Sequence, residues 1–157
     1  MVSPVTQRPE RLTLDDLPGL VALEREGQSH PWSEALLHEA FVDERAQVWG
    51  LKMTDGLKGF AVFYRLPFDA ELQAITVAPR MRRQGFATTL LETGIAQANA
   101  WGSERLLLEV RASNQAAIDM YRRAGFLRDG VRRGYYDSKE GREDAWLMSL
   151  RLAAGKA

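Results

Sequence analysis

Apolar residues between Gly85 and Gly102 recur at the spacing of a helix rather than that of a strand. At about 3.6 residues per turn they fall within roughly half of the helix circumference, which is the pattern of an amphipathic helix. The pattern therefore predicts a long helix that ends at Gly102. Its apolar positions are Phe86, Leu90, Leu91, Ile95, Ala98 and Trp101.

Three shorter helices are indicated by the residues at their ends. Thr13 and Asp16 have the spacing of a capping box, so a helix is predicted from about Leu14 to Glu26. Ser33 is the predicted N-cap of a second, short helix. A third is predicted from Gln115 to Ala124, because a glycine follows it directly.

Strand-like runs lie between these helices. Residues 46–53 and 57–65 flank Thr54-Asp55-Gly56, a hairpin signal, and a third run covers residues 70–77. The predicted order is ααβββαβαββ, an α/β (α+β) fold with a mixed, mostly antiparallel central sheet and helices on both faces. The later strands are predicted at residues 104–111, 126–136 and 142–152, with the polar segment DSKEGRED as the turn between the last two.

Length and charge are those of one ordinary globular domain. The 157 residues contain no repeat or linker, so a single domain is predicted, with flexible ends at about residues 1–10 and 153–157. The 21 basic residues balance 21 acidic ones, so no net charge attracts nucleic acid or an anionic membrane. The chain shows no membrane-spanning apolar run and no secretory signal, and a cytoplasmic location is expected.

The chain contains no cysteine, which excludes disulfides, thiolate metal sites and a cysteine nucleophile. His30 and His38 are the two histidines. Surface or loop-packing roles are the better interpretation of such a pair, so no metal site is expected.

The segment RRQGFATT lies between a strand end and a helix start, where main-chain N–H groups and the helix dipole favour an anion. Gly85 lets the main chain approach a ligand closely, and Ala87 is small enough not to block it. Arg80, Arg82 and Arg83 add positive charge. The pattern indicates a phosphate or diphosphate site, and a charged loop that merely caps a helix is the alternative.

Glu109 interrupts an apolar strand. Leu106, Leu108 and Val110 face one way, so Glu109 projects from the other face into a place expected to be partly enclosed. Desolvation there would raise its proton affinity toward that of a general base. A glutamate paired with Arg111 or with another arginine is the equally weighted alternative.

Asn114 and Tyr121 are seven residues apart on the next predicted helix, so they overlook the same edge of that helix. Taken singly, Tyr121 is typical of a core aromatic residue and Asn114 of an N-cap. Together with a strand glutamate and an upstream anion loop, they indicate a site.

These motifs resemble a known family. Arg82-x-x-Gly85-x-Ala87 resembles the coenzyme A diphosphate loop of the GCN5-related N-acetyltransferase (GNAT) superfamily. The stretches LEVRASNQAAIDMYRRAGF, RRGYYDSKEGREDAWLM and HPWS resemble the bacterial ribosomal-protein alanine N-acetyltransferases of the RimI type. The resemblance runs from about Leu14 to Leu150 and is strongest between Val77 and Met148.

The resemblance implies a role for each matching position. Glu109 matches the general base of the family and Tyr121 its general acid. One strand is expected to pair with the pantetheine arm of acetyl-CoA through its main chain, and the loop after it to hold the diphosphate. Ala87 stands where glycine is common in that loop. The implied coenzyme-binding residues are Ile75, Thr76, Val77, Arg82, Arg83, Gln84, Gly85, Phe86, Ala87, Thr88 and Asn114.

The implied activity is transfer of an acetyl group from acetyl-CoA, without a metal, to the N-terminal α-amine of a protein that begins with alanine. The implied partner is a small-subunit ribosomal protein, with no nucleic acid contact required, no membrane, and a monomer favoured. Trp32, Tyr135 and Tyr136 are candidate walls of an acceptor groove, and packing of loop aromatics on the sheet is the alternative.

Two other functions stay open at this point. One is a GNAT enzyme that acetylates a small amine such as an antibiotic, a polyamine or an amino acid. The other is a non-catalytic acyl-CoA-binding sensor, which would have no use for Glu109 and Tyr121.

Overall fold

A computed structural model describes residues 8–138 and 141–156. Within them, four α-helices and a mixed seven-stranded sheet form an α/β fold. The helices are α1 Leu17–Gly27, α2 Glu34–Val42, α3 Phe86–Ala100 and α4 Gln115–Arg123. The strands are β1 Glu10–Arg11, β2 Ala46–Met53, β3 Gly56–Arg65, β4 Ala70–Val77, β5 Arg105–Arg111, β6 Leu127–Ser138 and β7 Gly141–Arg151, in the sheet order β1-β2-β3-β4-β5-β7-β6.

The chain separates into two compact units. The first consists of the described part of Met1–Arg65 together with Leu72–Gln97. The second consists of Leu66–Glu71 and the described part of Ala98–Ala157. The organisation as a single domain stays a prediction.

In the first unit, β1 pairs antiparallel with β2, and β2 pairs antiparallel with β3. The turn between β2 and β3 ends at Gly56, whose φ of 124° is open to glycine and strained for other residues. A Cβ at Gly94 on α3 would collide with the ring of Phe63, so the glycine allows this helix to lie close to β3. The fully buried large side chains of this unit are Leu20, Leu37, Leu51, Phe60, Val62, Phe63, Leu90 and Leu91.

In the second unit, β7 pairs antiparallel with β5 on one side and with β6 on the other. The first residues of β4, Ala70 and Glu71, pair in parallel with Leu106 and Leu107 of β5. This parallel pair beside antiparallel ones confirms the predicted mixed sheet. The fully buried large side chains are Leu106, Ile118, Phe126 and Met148.

The elements differ from the sequence prediction chiefly in three places, and several other bounds, such as the end of α3 at Ala100 rather than Gly102, shift by one or two residues. Strand β1 was not predicted, because two residues carry no periodicity. The first helix begins later, since Leu14–Asp16 forms a 3-10 turn, and it extends through Gly27. The predicted turn DSKEGRED is wrong for most of its length, because β6 continues to Ser138 and β7 starts at Gly141.

The predicted flexible ends fall partly outside the described residues. Residues 1–7 and 157 lie there, as do residues 139–140 of the predicted turn. Glu10 lies in β1, and Ala153–Lys156 forms a 3-10 turn.

Candidate active site

The predicted pantetheine-binding residues 75–77 form the end of β4 in the first unit, and this segment is largely buried. Thr76 is 3% exposed, Val77 is buried and Ile75 is half-buried. The Thr76 hydroxyl donates to Glu24 Oε1 at 2.7 Å and accepts from Gln28 Nε2 at 2.9 Å. Because this side chain is already engaged, pairing with a coenzyme would fall to the main chain, as the prediction requires.

The predicted anion loop leads into the N-terminus of α3. Gly85 has a φ of 85° and Arg83 a φ of 63°, so the main chain turns twice through the left-handed region before the helix. Phe86 is buried, Ala87 is half-buried and Thr88 is exposed. The first N–H groups of a helix have no intrahelical partner, so this turn can offer main-chain donors to an anion.

Two polar side chains of the loop are hydrogen-bonded to main-chain carbonyl oxygens. Arg82 Nη2 donates to the Gly27 carbonyl oxygen at 2.7 Å, which joins the loop to the end of α1. Gln84 Nε2 donates to the Arg80 carbonyl oxygen at 3.1 Å. The coenzyme contacts assigned to Arg82, Arg83 and Gln84 stay predictions.

Glu109 lies on β5, in the second unit, between two buried apolar neighbours. Its side chain is 33% exposed, and its Oε1 lies 3.6 Å from Arg132 Nη2. Arg111, a partner considered from the sequence, instead pairs with Glu143 at 2.8 Å. Glu109 therefore has the arginine neighbour that an ion-pair role requires, and it also has the solvent access that a general base requires.

Tyr121 is a core residue of the second unit with 4% exposure, and its ring lies 5.6 Å from that of Phe126, centroid to centroid. Burial raises the pKa of Tyr121 far above its ordinary value, and the nearby Tyr136 adds a smaller effect in the same direction. A phenol is already protonated at neutral pH without this shift, so the shift marks the core position of Tyr121 and leaves its role as a general acid a prediction.

Asn114 is the N-cap of α4. Its side-chain oxygen accepts from the Ala117 N–H at 3.3 Å, so the N-cap interpretation is confirmed. The predicted coenzyme contact of Asn114 would then use its amide nitrogen.

The aromatic side chains predicted to line an acceptor groove fall into both units. In the second, the rings of Tyr135 and Tyr136 meet edge-on with centroids 5.0 Å apart, and Arg111 lies 4.3 Å from the Tyr136 ring centroid. Burial raises the pKa of Tyr136, and the charge of Glu109 raises it further. In the first, the Trp32 side chain is half-buried, and the main-chain N–H of Trp32 donates to a carboxylate of α1.

Sequence reasoning missed the carboxylate that receives the Trp32 N–H, which is Glu24. It is 2% exposed and sits in the apolar stripe of α1, four residues after the buried Leu20. A charged residue at a position of the helical pattern that should be apolar was the available signal.

Within residues 8–138 and 141–156, no three His, Asp or Glu side chains are placed to hold a metal ion. In the same residues, none of the helices combines the length and the apolar character needed to cross a bilayer.

The chain is similar to known proteins along most of its length. The bS18-alanine N-acetyltransferases of Salmonella typhimurium and Escherichia coli are 36% and 37% identical to this chain, over 90% of it and 95% of each relative. The crystal structure of the ribosomal-protein-S18-alanine N-acetyltransferase from Escherichia coli superposes with a TM-score of 0.88 at 35% identity, covering 94% of both chains. The model of the acetyltransferase (GNAT) family matches residues 14–126, and this match places the chain in that family.

Proposed function

We propose that this chain transfers an acetyl group from acetyl-CoA to the N-terminal α-amine of a protein that begins with alanine, and that this protein is the ribosomal protein bS18. The observation that carries the proposal is the 36–37% identity, over 90% of the chain, to relatives that bear this activity in their names. The solvent access of Glu109 supports it.

The chemistry of the acceptor favours an α-amine over a lysine. The attacking amine must be neutral, and a peptide α-amine has a pKa of about 7.7–8.0, whereas that of lysine is about 10.4. At about 1.36 kcal/mol per pKa unit, preparing a lysine at neutral pH costs roughly 3.5 kcal/mol more. One carboxylate such as Glu109, acting directly or through a water, is sufficient for the easier of the two tasks.

Two segments of the main chain and two side chains have separate tasks in this reaction. The N–H groups of the Gly85 loop and the α3 N-terminus bind the diphosphate of acetyl-CoA, and the main chain of residues 75–77 binds its pantetheine arm. Glu109 accepts the proton of the α-amine as the amine attacks the thioester carbonyl. Tyr121 donates a proton to the departing thiolate.

Transfer is direct in this proposal. The chain has no cysteine, so an acetyl-cysteine intermediate cannot form. The amine therefore attacks acetyl-CoA itself in a ternary complex, and initial-rate plots should give intersecting lines.

The test is mass spectrometry of reactions between the purified chain, acetyl-CoA and a panel of acceptors. The panel contains peptides that begin with alanine, serine or methionine, an α-blocked lysine peptide, and small amines such as polyamines. The proposal expects the alanine peptide to be modified on its α-nitrogen, with kcat/KM orders of magnitude above that of the small amines. If a small amine is the preferred acceptor, the proposal is wrong and the chain is a small-molecule acetyltransferase. If the chain binds acetyl-CoA and modifies no acceptor, it is a non-catalytic sensor.

A further inference from the structure

Glu24 is a buried carboxylate with no part in the chemistry proposed above. It lies on the inner stripe of α1 with Leu20, Val21 and Leu23, and it is 2% exposed. Removing a carboxylate from water is costly unless its oxygens accept hydrogen bonds, so the partners of Glu24 decide why the chain tolerates it there.

The two oxygens of Glu24 bind two different segments. Oε1 accepts from the Thr76 hydroxyl of β4 at 2.7 Å, and Oε2 accepts from the main-chain N–H of Trp32 at 2.9 Å. The carboxylate therefore connects the end of β4 with the loop of residues 28–33 between α1 and α2.

A second side chain, that of Gln28 at the start of the 28–33 loop, strengthens this connection. Gln28 follows Glu24 by four residues, and its Nε2 donates to the Thr76 hydroxyl at 2.9 Å and to the Ile75 carbonyl oxygen at 3.3 Å. The Thr76 hydroxyl thus donates to one residue and accepts from the other. Hydrogen bonds to an ionised group are roughly twice as strong as neutral ones, so Glu24 is the principal anchor of the set.

The 28–33 loop is hydrogen-bonded at its two ends, through Gln28 to Thr76 and through Ser33 to Leu36. It has no regular secondary structure, and five of its six residues are exposed, the exception being Trp32. The main-chain hydrogen bond from Trp32, the fifth of these six residues, to a buried carboxylate fixes that part of the loop against α1. Losing that bond would release Trp32 while leaving the apolar core of the unit in place.

We propose that Glu24 is a positioning residue for the acceptor: it holds the 28–33 loop, with Trp32, in register with residues 75–77 of β4. This deepens the proposed function and rests on it, because it assumes that Trp32 borders the acceptor and that β4 binds the acetyl donor. Glu24 itself touches neither, so its loss weakens acceptor binding more than the chemical step.

The test compares Glu24→Gln with Glu26→Gln, an exposed glutamate of the same helix. The glutamine at 24 keeps one acceptor oxygen and places an NH2 group opposite one of the two donors. We expect the KM for the alanine peptide to rise about tenfold, the effect of losing one charge-assisted hydrogen bond, with kcat and the KM for acetyl-CoA within about threefold of wild type. Glu26→Gln should match wild type in all three constants.

Thr76 provides a second pair of variants in case Glu24→Gln folds poorly. Thr76→Val removes the hydroxyl and should raise the peptide KM, whereas Thr76→Ser keeps the hydroxyl and should lie nearer to wild type. If Glu24→Gln and Thr76→Val lower the thermal midpoint while all kinetic constants stay unchanged, Glu24 is structural only and the proposal is wrong. A fall in kcat with an unchanged peptide KM would also overturn it.

Hydrogen exchange of the Trp32 amide, followed by NMR, separates this inference from the proposed function. Faster exchange in Glu24→Gln than in Glu26→Gln is expected, whichever acceptor the enzyme uses. If the wild type fails to modify the alanine peptide, the proposed function fails while the anchoring of Trp32 is still measured. If the wild type modifies the peptide and Trp32 exchanges equally in both variants, this inference alone fails.

Discussion

Glu24 and Glu109 are glutamates among apolar neighbours, one in each compact unit, and their surroundings are opposite. Glu24 is 2% exposed, and its two oxygens accept hydrogen bonds from the Thr76 hydroxyl and from the main-chain N–H of Trp32. The Glu109 side chain is 33% exposed and meets Arg132 only at 3.6 Å. A carboxylate that accepts hydrogen bonds at both oxygens can fix the position of a loop. A carboxylate that has solvent access and only a long ion pair can exchange protons with a substrate.

Glu109→Gln is expected to have the largest effect. Loss of a general base costs about 10²–10⁴-fold in rate, so kcat for the alanine peptide should fall within that range. Stability should change little, because the side chain is partly exposed and its ion pair is long. Steady-state kinetics and thermal melts measure the two quantities.

The matched control for that change is Glu92→Gln, an exposed glutamate on α3. It should behave as wild type in both measurements. A Glu109→Gln enzyme that retains more than a tenth of wild-type kcat would show that Glu109 is a surface ion-pair residue.

Tyr121→Phe should have the next largest effect, a fall in kcat of about 10–100-fold. The loss is smaller because a thiolate leaves more readily than most groups, so the departing sulfur depends less on a general acid than the amine depends on its base. The phenylalanine ring keeps the contact with Phe126, so the thermal midpoint should stay close to that of wild type. An unchanged kcat in Tyr121→Phe would show that Tyr121 is a structural residue and not the general acid.

The raised pKa of Tyr121 also predicts a pH effect on stability. Above the ordinary pKa of 10.0, an unfolded chain loses the phenol proton while the folded chain retains it. Stability therefore falls as pH rises above that value, by at most about 1.4 kcal/mol per pH unit from this residue. Denaturant melts between pH 9 and 11 should show a shallower alkaline loss in Tyr121→Phe than in wild type.

Gly27→Ala tests how tightly the Glu24 region is packed. A Cβ at Gly27 would lie 2.7 Å from Thr76 Cγ2, and Thr76 is held by its hydroxyl. Overpacking of this kind costs about 1–3 kcal/mol, which denaturant melts would detect.

Gly19→Ala is the control for that change, because in the same helix its added Cβ would meet only Leu57 Cβ at 4.0 Å. Gly19→Ala should stabilise the chain by about 0.5–1 kcal/mol through helix propensity. Equal effects of the two substitutions would contradict tight packing at Gly27.

Arg132→Met should have the smallest effect. The Arg132 side chain is 53% exposed, and exposed ion pairs contribute about 0–1 kcal/mol, so the free energy of unfolding should change by less than about 1 kcal/mol. Added salt should leave the difference between variant and wild type small. A larger loss of unfolding free energy would show that the ion pair holds Glu109 as firmly as hydrogen bonds hold Glu24. The two glutamates would then not differ in the way described above.

Several elements followed directly from the sequence. The strands at 46–53 and 70–77 have the predicted bounds, because hairpin chemistry and a proline close by mark their ends. Ser33 caps α2 through Leu36 as expected, since capping depends on residues within one turn. The segment DSKEGRED failed because its polarity indicated a turn, whereas a strand with exposed residues can carry polar side chains along its whole length.

The sequence alone determined what depends on near neighbours: the amphipathic face of α3, the caps, the glycine turn ahead of α3 and the absence of a thiol nucleophile. It also placed Glu109 on a strand and Tyr121 on the following helix. Only the tertiary structure decided the partners of the charged groups, namely Glu143 for Arg111, Arg132 for Glu109, and Thr76 for Glu24. The physical reason is separation along the chain: Glu24 and Thr76 are 52 residues apart, and no local pattern encodes which distant donor a buried carboxylate will meet.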